Sequence, residues 1–415
     1  MRLVIYGINY SPELTGIGKY SSEMAEWFSK QGHEVRVVTA PPYYPEWKIR
    51  DGYSSWRYKK ETINKVQIIR APIYVPKNPK LITRLLHLIS FSISSFPVII
   101  KQFFWKPDVI FYVQPTLFAS LGAILLAKMS GGKAIMHIQD YEIDAMFGLG
   151  MMNNGLISIL AKASEKWLMS HFDLVSTISY SMIDKAKSKC VSEGEILLFP
   201  NWADTEFVAP DIDGSALKHE WGFSDNDQVL LYAGNIGKKQ GLELVLDAAE
   251  KLKDKLSVQF VIVGTGAHIE ALKSIVVEKQ LVNVHFKPLQ PWERVPEMLA
   301  MADVHLVVQK RGAADVVLPS KLTNILSIGG HALVTAEKNT ELGLLADRFP
   351  GIYKCIDPED SILFSDSLFE MLEDDLSEVN QVARDYAVRY LSKNNVLSGF
   401  EHHLKELVGI KDIKS

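Results

Sequence analysis

Cysteine is almost absent from this chain of 415 residues, which contains only Cys190 and Cys355. The two lie far apart, and neither belongs to a CxxC pair or to a cluster with histidine. A disulfide framework or a structural zinc site needs several such residues at short, defined spacings. The composition therefore excludes a disulfide-rich secreted module and favours a chain that folds in a reducing compartment.

The chain also lacks a large excess of charge of either sign. Lys and Arg number 45 and Asp and Glu number 49, which gives a formal net charge of −4. Bulk charge thus gives no reason to expect a nucleic-acid partner. Hydrophobic residues make up 47% and charged residues 23%, as in ordinary globular proteins, and the length suggests two large domains.

Long uninterrupted hydrophobic runs are missing as well. Residues 1–7 enter a strand-like run without the basic and apolar regions of a signal peptide, so we expect none. The most apolar segment, Leu85 to Phe104, is interrupted by polar residues and a proline, whereas a spanning helix needs about 20 mostly apolar residues. We therefore predict that this segment does not span a membrane and that the protein stays on the cytoplasmic side.

Short apolar runs alternate with helical patterns along nearly the whole chain. Strand–helix–strand repetition predicts parallel sheets covered by helices on both faces, which is an α/β fold. The pattern restarts after a polar stretch that begins at Glu206, so we predict two Rossmann-like domains, residues 1–205 and 206–385. A C-terminal helix, 386–415, could pack back on the first domain. The predicted strands are Leu3–Gly7, Glu34–Ala40, Val66–Ala71, Val109–Val113, Ala134–Gln139, Val229–Ala233, Val258–Val263, Val284–Pro288, Val304–Val308 and Ala332–Thr335.

Loops that follow these strands are the expected ligand sites, because open parallel sheets bind ligands beyond the carboxyl ends of their strands. With two such domains, the natural site is a central cleft that both domains face. Gly16 and Gly18 lie just before the first predicted helix, whose N-terminus favours an anion such as diphosphate. A dinucleotide fingerprint is incomplete there, and a flexible turn is an equal alternative.

A second glycine loop joins a strand to a helix in the second domain. Two glycines and two lysines before a helix N-terminus suit a diphosphate, although the spacing is not that of a P-loop. The alternative is a solvated loop with surface lysines, and we favour the diphosphate site. Its candidate residues are Gly234, Asn235, Gly237, Lys238, Lys239 and Gln240.

The segment Gln309 to Asn324 carries the densest pattern of candidate residues. It follows a predicted strand and leads into a helix that begins near Pro319. Lysine in the first turn of a helix is unfavourable for the helix dipole, so Lys321 indicates a bound anion at that position. The neighbours Arg311, Ser320 and Asn324 are further candidates for donor binding.

A histidine and a carboxylate mark the end of the fifth strand. His137 and Asp140 stand where they could hold a sugar hydroxyl or a reacting oxygen, with Glu142 and Asp144 nearby. A histidine near a strand end is often structural, and we favour the functional interpretation.

Aromatic and basic residues cluster in the first domain. Tyr43, Tyr44 and Trp47 could stack on a sugar ring or lie at a bilayer interface, although any single ring could simply pack its loop. Arg84 and Lys101 flank an apolar helical stretch, a combination that suits an anionic membrane surface. The alternative is a buried helix with a solvated basic rim.

Long stretches of the chain resemble the GT-B retaining glycosyltransferases of family four, and within it a subgroup that assembles exopolysaccharide of the colanic acid type. The resemblance covers nearly the whole chain. It is carried by GINYSPELTGIGKY (Gly7–Tyr20), TAPPYYPEW (Thr39–Trp47), HIQDYEIDAM (His137–Met146), FPNW (Phe199–Trp202), GNIGKKQGLE (Gly234–Glu243) and QKRGAADVVLPSKLTNIL (Gln309–Leu326).

The resemblance implies a nucleotide sugar bound mainly by the second domain, acceptor contacts from the first, and no metal ion or other cofactor. It implies transfer with retained anomeric configuration to a glycan on an isoprenoid diphosphate lipid, by a peripheral protein at the inner face of the plasma membrane. GDP-fucose is the implied donor. The residues themselves select neither guanine nor fucose, so UDP-sugars remain open.

Under this resemblance, fixed cations would stabilise the departing diphosphate, and the candidates are Lys239, Lys321 and Arg311. The chain departs from the broad family pattern in four places. Asn235 replaces an arginine, Gln240 replaces a lysine, and Asn324 stands where a second glutamate is usual. Many members also have a histidine directly before the aspartate at the position of Asp140, whereas here His137 lies two residues earlier. A sugar-nucleotide epimerase, a non-catalytic subunit that binds lipid-linked sugar, and a nicotinamide dehydrogenase are the alternatives.

Overall fold

A computed structural model describes most of the chain. The described residues are 1–13, 16–77, 79–141, 156–189, 191–312 and 318–410. Glu142, Asp144 and Cys190, which the sequence analysis singled out, lie outside them, as do residues 313–317 of the segment around Arg311.

The chain folds into two compact units. The first unit comprises Met1–Ile178, Met182–Asn201 and Leu397–Ser415, and the second comprises Ser179–Ser181 and Trp202–Val396. The division differs from the predicted one, since it falls a few residues before the expected boundary at 205. Of the expected 386–415 segment, Leu397–Ser415 belongs to the first unit.

A largely parallel sheet of eight strands forms the centre of the first unit, in the order β3-β4-β2-β1-β5-β6-β7-β8. β3 alone runs antiparallel to its neighbour in the described sheet. β1 and β5 are apolar and buried almost throughout, as expected for strands covered on both faces. The strands are β1 Arg2–Tyr6, β2 Glu34–Thr39, β3 Lys59–Ile63, β4 Val66–Arg70, β5 Val109–Val113, β6 Lys133–Ile138, β7 Leu174–Thr177 and β8 Ile196–Leu198.

Amphipathic helices cover this sheet. The first, α1, begins at Gly16 and buries Met24, Ala25 and Phe28, so Gly16 and Gly18 lie within its first turn rather than before it. The helices of the first unit are α1 Gly16–Lys30, α2 Leu81–Lys101, α3 Ser120–Ser130, α4 Leu156–Met169 and α5 Tyr180–Ser188, whose first two residues belong to the second unit.

The apolar segment near residue 90 forms helix α2, which a short 3₁₀ turn extends to Trp105. Within the described part of the chain, Ile82–Trp105 is long and apolar enough to cross a membrane by length and composition, so the prediction that it falls short was wrong. The helix also packs on the sheet. Phe91 and Ile99 are fully buried, and the Ser95 and Tyr6 hydroxyls are 2.6 Å apart.

A second sheet of six parallel strands forms the centre of the second unit, in the order β11-β10-β9-β12-β13-β14. Buried apolar clusters lie on both of its faces. The strands are β9 Gln228–Ala233, β10 Val258–Val263, β11 Val284–Lys287, β12 Val304–Val307, β13 Ala332–Thr335 and β14 Lys354–Ile356. The helices are α6 Ser215–Glu220, α7 Glu243–Lys251, α8 Ile269–Glu278, α9 Val295–Ala300, α10 Ser320–Ile328, α11 Glu341–Arg348, α12 Ser361–Glu373 and α13 Gln381–Tyr386.

The last helix, α14 (Lys393–Leu407), attaches to the first unit through an aromatic contact. Phe400 is buried and stacks on Phe199 with ring centroids 4.0 Å apart, and its edge meets the ring of Phe111. Beside it, Glu401 pairs with His33 at 2.6 Å. The tail is thus part of the core of the first unit.

Phe400→Ala should destabilise the first unit by about 3–5 kcal/mol, because truncation leaves a cavity among stacked rings. The measurement is chemical denaturation, with His403→Ala at an exposed position of the same helix as the control. Equal unfolding midpoints for the two variants would contradict this packing account.

Candidate donor and acceptor sites

A cavity of about 200 Å³ opens in the second unit beside the ends of strands β9, β10 and β12, and helices α9 and α10 form its other walls. It brings together residues that are far apart in sequence. Gly234 follows β9, while Ser320, Lys321 and Asn324 come from the first turns of α10. These four predicted donor-site residues therefore share one cavity. The other lining residues are Leu231, Ala233, Val263, Leu289, Gln290, Trp292, Val295, Met298, Leu299, His305, Leu306 and Ile325.

Helix α10 turns its N-terminal end to this cavity. Pro319 precedes the helix in extended conformation, and its first turn contains no acidic residue. The first backbone N–H groups of a helix have no partner within the helix, and the dipole places partial positive charge there. Lys321 adds a full positive charge to the same place, so the cavity wall favours an anion.

Lys321 contacts an aromatic ring from strand β9. Its ammonium lies 4.5 Å from the centroid of the Tyr232 ring, within the range of a cation–π contact. The Tyr232 hydroxyl donates a 2.7 Å hydrogen bond to the carbonyl of Asn235. The ring is thus fixed to the glycine loop, and Lys321 is held against the start of that loop.

Close backbone packing shapes the loop that begins at Gly234. A Cβ on Gly264 would lie 1.9 Å from the Gly234 carbonyl oxygen, and one on Gly266 would lie 2.1 Å from that of Ile236. The Ile236 N–H also donates to the Thr265 carbonyl at 2.9 Å. The Gly264–Gly266 loop therefore has a packing role that requires glycine.

The remaining residues of this loop do not line the cavity. Lys238 and Lys239 are exposed in a short 3₁₀ turn, and Gln240 accepts a hydrogen bond from the Gly237 N–H at 3.1 Å. Gln240 thus closes its own turn.

Arg311 also lies away from the cavity lining. It is more than half exposed and pairs with Glu337 at 3.5 Å. The same glutamate accepts a hydrogen bond from the Gly312 N–H at 2.9 Å. Glu337 therefore fixes the start of this segment, a role that the sequence did not indicate.

A larger cavity, about 480 Å³, lies in the first unit between the loops that follow β1 and β2. Tyr43 and Tyr44 both line it, but Tyr43 is buried, while Tyr44 is 43% exposed. Glu46, Lys48, Arg50 and Asp51 add charged groups of both signs to the rim. The remaining lining residues are Pro12, Glu13, Pro42, Pro45 and Ile49.

A buried carboxylate that the sequence analysis missed joins the two loops of this cavity. One oxygen of Glu13 accepts hydrogen bonds from the backbone N–H groups of Tyr43 and Tyr44 at 2.9 and 3.0 Å. The other accepts from the Asn9 amide at 2.8 Å. Burial raises the pKa of the Glu13 carboxyl, although these hydrogen bonds act to lower it. A Cβ on Gly18 would lie 2.8 Å from the Glu13 Cβ, so Gly18 makes room for this side chain.

Arg70 also connects the loops that follow β1 and β2. It is fully buried, and its guanidinium donates to the carbonyls of Ala40 and Ser11 at 3.0 and 2.5 Å. Its third contact is an ion pair with Glu61 on strand β3. A buried charge is tolerated only when paired and hydrogen-bonded, and Arg70 meets both conditions.

Trp47 and Arg84 lie behind the cavity rather than in it. Trp47 packs on Tyr43 and on His87 of helix α2, with ring centroids 5.6 and 5.2 Å apart. The Arg84 guanidinium lies 5.9 Å from the Trp47 ring, and Lys101 is exposed at the far end of α2. The aromatic loop is therefore fastened to α2.

His137 is a core residue, which corrects its assignment as a catalytic group. Its ring is 3% exposed and stacks on Phe111 at 5.2 Å, with Phe199 on another side. The ring nitrogens contact the Ser176 hydroxyl and the Gln139 amide, each at 2.9 Å. A ring enclosed in this way cannot touch a substrate. Asp140 is exposed at the strand end.

Among the described residues, no group of three or more His, Cys, Asp or Glu side chains is placed to hold a metal ion. In the cavity of the second unit, Lys321 and the start of α10 supply positive charge.

Comparison with known proteins identifies the class. The family model "Glycosyl transferases group 1" matches residues 215–389, and "Glycosyl transferase 4-like domain" matches residues 15–202. A protein of Escherichia coli (strain K12), named for colanic acid biosynthesis as the glycosyl transferase WcaI, is 50% identical over 98% of this chain and 100% of its own length. The chain belongs to the group 1 glycosyltransferase family.

Solved structures agree on the fold. Sucrose-phosphate synthase from Thermosynechococcus elongatus superposes with a TM-score of 0.71 at 13% identity, covering 99% of this chain and 100% of that one. Anabaena HepE, solved in complex with UDP, gives 0.68 at 12% identity, covering 98% and 100%. Two Rossmann-like units with parallel sheets, as in GT-B glycosyltransferases, are therefore the fold of this enzyme.

His137 should make the first unit sensitive to acid. Burial lowers its pKa to about 3, whereas the unfolded chain takes up the proton near pH 6.5. Stability is therefore lost as pH falls from 6.5 towards 3. His137→Gln should flatten the dependence of the unfolding free energy on pH by about 1.4 kcal/mol per pH unit in the lower part of that window. An unchanged slope would contradict the neutral, buried ring.

Proposed function

We propose that this glycosyltransferase takes its sugar from a nucleotide donor whose diphosphate binds at the start of α10. The observation that supports this most is the cavity in which Lys321, Ser320 and Gly234 meet beside the strand ends. Helix N-termini bind phosphate through backbone N–H groups and the dipole. A lysine in the first turn, where the dipole disfavours it, becomes favourable once a diphosphate is present.

In the proposed reaction, an acceptor hydroxyl attacks the anomeric carbon of the donor on the face that the diphosphate leaves. The bond between that carbon and the diphosphate oxygen breaks, and the departing diphosphate takes the hydroxyl proton. The configuration is retained. Negative charge grows on the leaving group, so fixed positive charge beside it lowers the barrier. Lys321 and the α10 N-terminus supply that charge, and we propose that no metal ion or other cofactor takes part.

GDP-fucose is the donor that we propose. Its support is the resemblance to exopolysaccharide enzymes of the colanic acid type and the 50% identity with the Escherichia coli protein named for that pathway. Nothing in the cavity lining selects guanine by itself. HepE was solved with UDP, so a UDP-sugar is the alternative donor that the experiment must address.

The cavity of the first unit is the proposed acceptor site. Tyr44 offers an exposed aromatic face to a sugar ring, and Lys48 and Arg50 offer cations to a diphosphate. A glycan on an isoprenoid diphosphate lipid presents both groups. Such an acceptor is confined to a bilayer, and we therefore propose a peripheral protein at the inner face of the plasma membrane.

A thermal-shift panel tests the donor proposal. GDP should stabilise the purified protein, by about 2.7 kcal/mol at a hundredfold excess over Kd, because it binds only the folded state. UDP, dTDP, CMP and NAD serve as comparisons. A shift with UDP alone would move the donor to a UDP-sugar, and a shift with NAD alone would contradict the glycosyltransferase account of this cavity.

Lys321→Ala should reduce donor turnover by roughly 10²- to 10³-fold, the usual loss when one fixed group that stabilises developing charge is removed. The fold should stay intact, because Lys321 lies at a cavity wall. Lys253→Ala, at an exposed position of the same unit, is the matched control. Normal turnover by the Lys321 variant would remove the diphosphate assignment.

A further inference from the structure

Helix α2 presents an apolar stripe to solvent. Ile82, Ile93 and Phe104 are 70, 70 and 84% exposed, and Leu86 and Phe96 are about half exposed. At 3.6 residues per turn these five positions fall on one side, opposite the buried Phe91, Ser95 and Ile99. Contiguous exposed apolar surface of this kind marks an interaction site.

A second exposed apolar stripe lies on the neighbouring helix α3 and the turn before it. Phe118, Leu121, Leu125 and Met129 are each between 43 and 49% exposed and follow helical spacing. The helices touch where a Cβ on Gly122 would lie 2.9 Å from Ile99 and 3.6 Å from Phe96. Because Phe96 belongs to the first stripe and Leu121 adjoins Gly122, the two stripes form one surface, here called the α2–α3 face.

The charges around this face are almost all positive. Between residues 71 and 130 the chain has a single acidic residue, Asp108, although its overall net charge is −4. A basic rim beside an apolar face complements a bilayer with anionic headgroups, while an ordinary protein partner would need no such bias. The basic residues of this stretch are Lys77, Lys80, Arg84, Lys101, Lys106 and Lys128.

Aromatic residues with polar ends border the same surface. Trp56 is 80% and Tyr58 53% exposed, and the Tyr58 hydroxyl donates to the Ser94 carbonyl of α2 at 2.9 Å. Tryptophan and tyrosine prefer the boundary between headgroups and acyl chains. The place of Tyr58 beside α2 is that expected for a helix lying in this boundary.

We propose that the α2–α3 face inserts into the headgroup region of an anionic bilayer, so that α2 lies in the membrane plane instead of crossing it. Phe91, Ser95 and Ile99 hold the other side of the helix to the sheet, which is incompatible with lipid all around it. An amphipathic helix in this mode buries its apolar face about 5–10 Å deep.

This inference rests on the proposed function and adds to it the position of the acceptor cavity. Tyr43, which lines that cavity, packs on His87 of α2 with ring centroids 4.7 Å apart. A helix docked in the bilayer would therefore hold the cavity beside the surface from which a lipid-linked acceptor must come.

The test is flotation of the purified protein with vesicles of phosphatidylcholine and phosphatidylglycerol. The wild type should float with them, and Ile93→Glu combined with Leu121→Glu should weaken the partitioning at least about tenfold, because two carboxylates would enter apolar lipid. Val277→Glu combined with Val282→Glu, at positions of the second unit that are at least as exposed, is the matched control and should float like the wild type. High salt should weaken binding without abolishing it, since apolar contact is not screened.

Thermal melts with the panel's nucleotides show that each variant is folded and keep the two proposals separate. Flotation that the Ile93 and Leu121 variant retains would overturn the membrane face. A wild type that binds nucleotide but no vesicle would overturn it as well. In that case, conversion of a dimer to a monomer by the same two substitutions would show that the face binds a second copy of the chain. Flotation lost only in that variant, without any nucleotide response, would support the face and contradict the proposed donor site.

Discussion

The candidate donor site depends on a close approach of two backbone segments. The loops after β9 and β10 approach so closely that Gly264 and Gly266 cannot carry a Cβ, and this approach sets the path of the chain at Gly234. The hydrogen bond from the Tyr232 hydroxyl to the Asn235 carbonyl then fixes the Tyr232 ring, and Lys321 lies over that ring. Any side chain at position 264 would move Gly234 and, with it, one wall of the cavity. The position proposed for Lys321 in catalysis thus depends on Gly264 and Gly266, which are far from it in sequence and whose missing side chains allow the two loops to pack together.

In the first unit, buried charged side chains hold the loops that line the larger cavity. Glu13 holds the loop after β2 through two backbone N–H groups, and Arg70 holds both loops through their carbonyls. Each such group is costly to bury and more costly to leave unpaired. The loops around the larger cavity are therefore held in one arrangement, while Tyr44 and Lys48 are exposed at its rim. A rigid site of this kind favours binding because less ordering is needed when a ligand arrives.

Most of the fold could be predicted from the sequence, because a central strand of a parallel sheet is a continuous apolar run. The ten predicted strands all lie within one or two residues of observed ones. The strands that were missed are short or lie toward sheet edges. β3, with the sequence KKETI, has polar residues exposed on an antiparallel edge strand, and β14 has three residues. Neither produces the apolar run on which the prediction relied.

The site was harder to predict, because burial and contact depend on residues far apart in the chain. Gly234, Ser320, Lys321 and Asn324 could be singled out because helix starts and glycines after strands have local signatures. The structure brings these four residues to one cavity, and their role in donor binding stays a prediction. His137 was misassigned because the rings that enclose it, Phe111 and Phe199, come from other parts of the chain. Glu13 was missed because the backbone N–H groups that it joins to its own loop, those of Tyr43 and Tyr44, lie about thirty residues away.

The most direct test of the central claim is to follow both products when the purified enzyme meets GDP-fucose and an isoprenoid diphosphate-linked glycan with a chelator present. We expect one GDP released for each fucose that joins the acceptor, with the configuration at the anomeric carbon retained. If one UDP is released from a UDP-sugar for each sugar transferred, the proposed reaction stands and the donor is a UDP-sugar. A nucleotide sugar that binds but is only isomerised, or an acceptor that gains nothing from any donor, would contradict the proposed transfer.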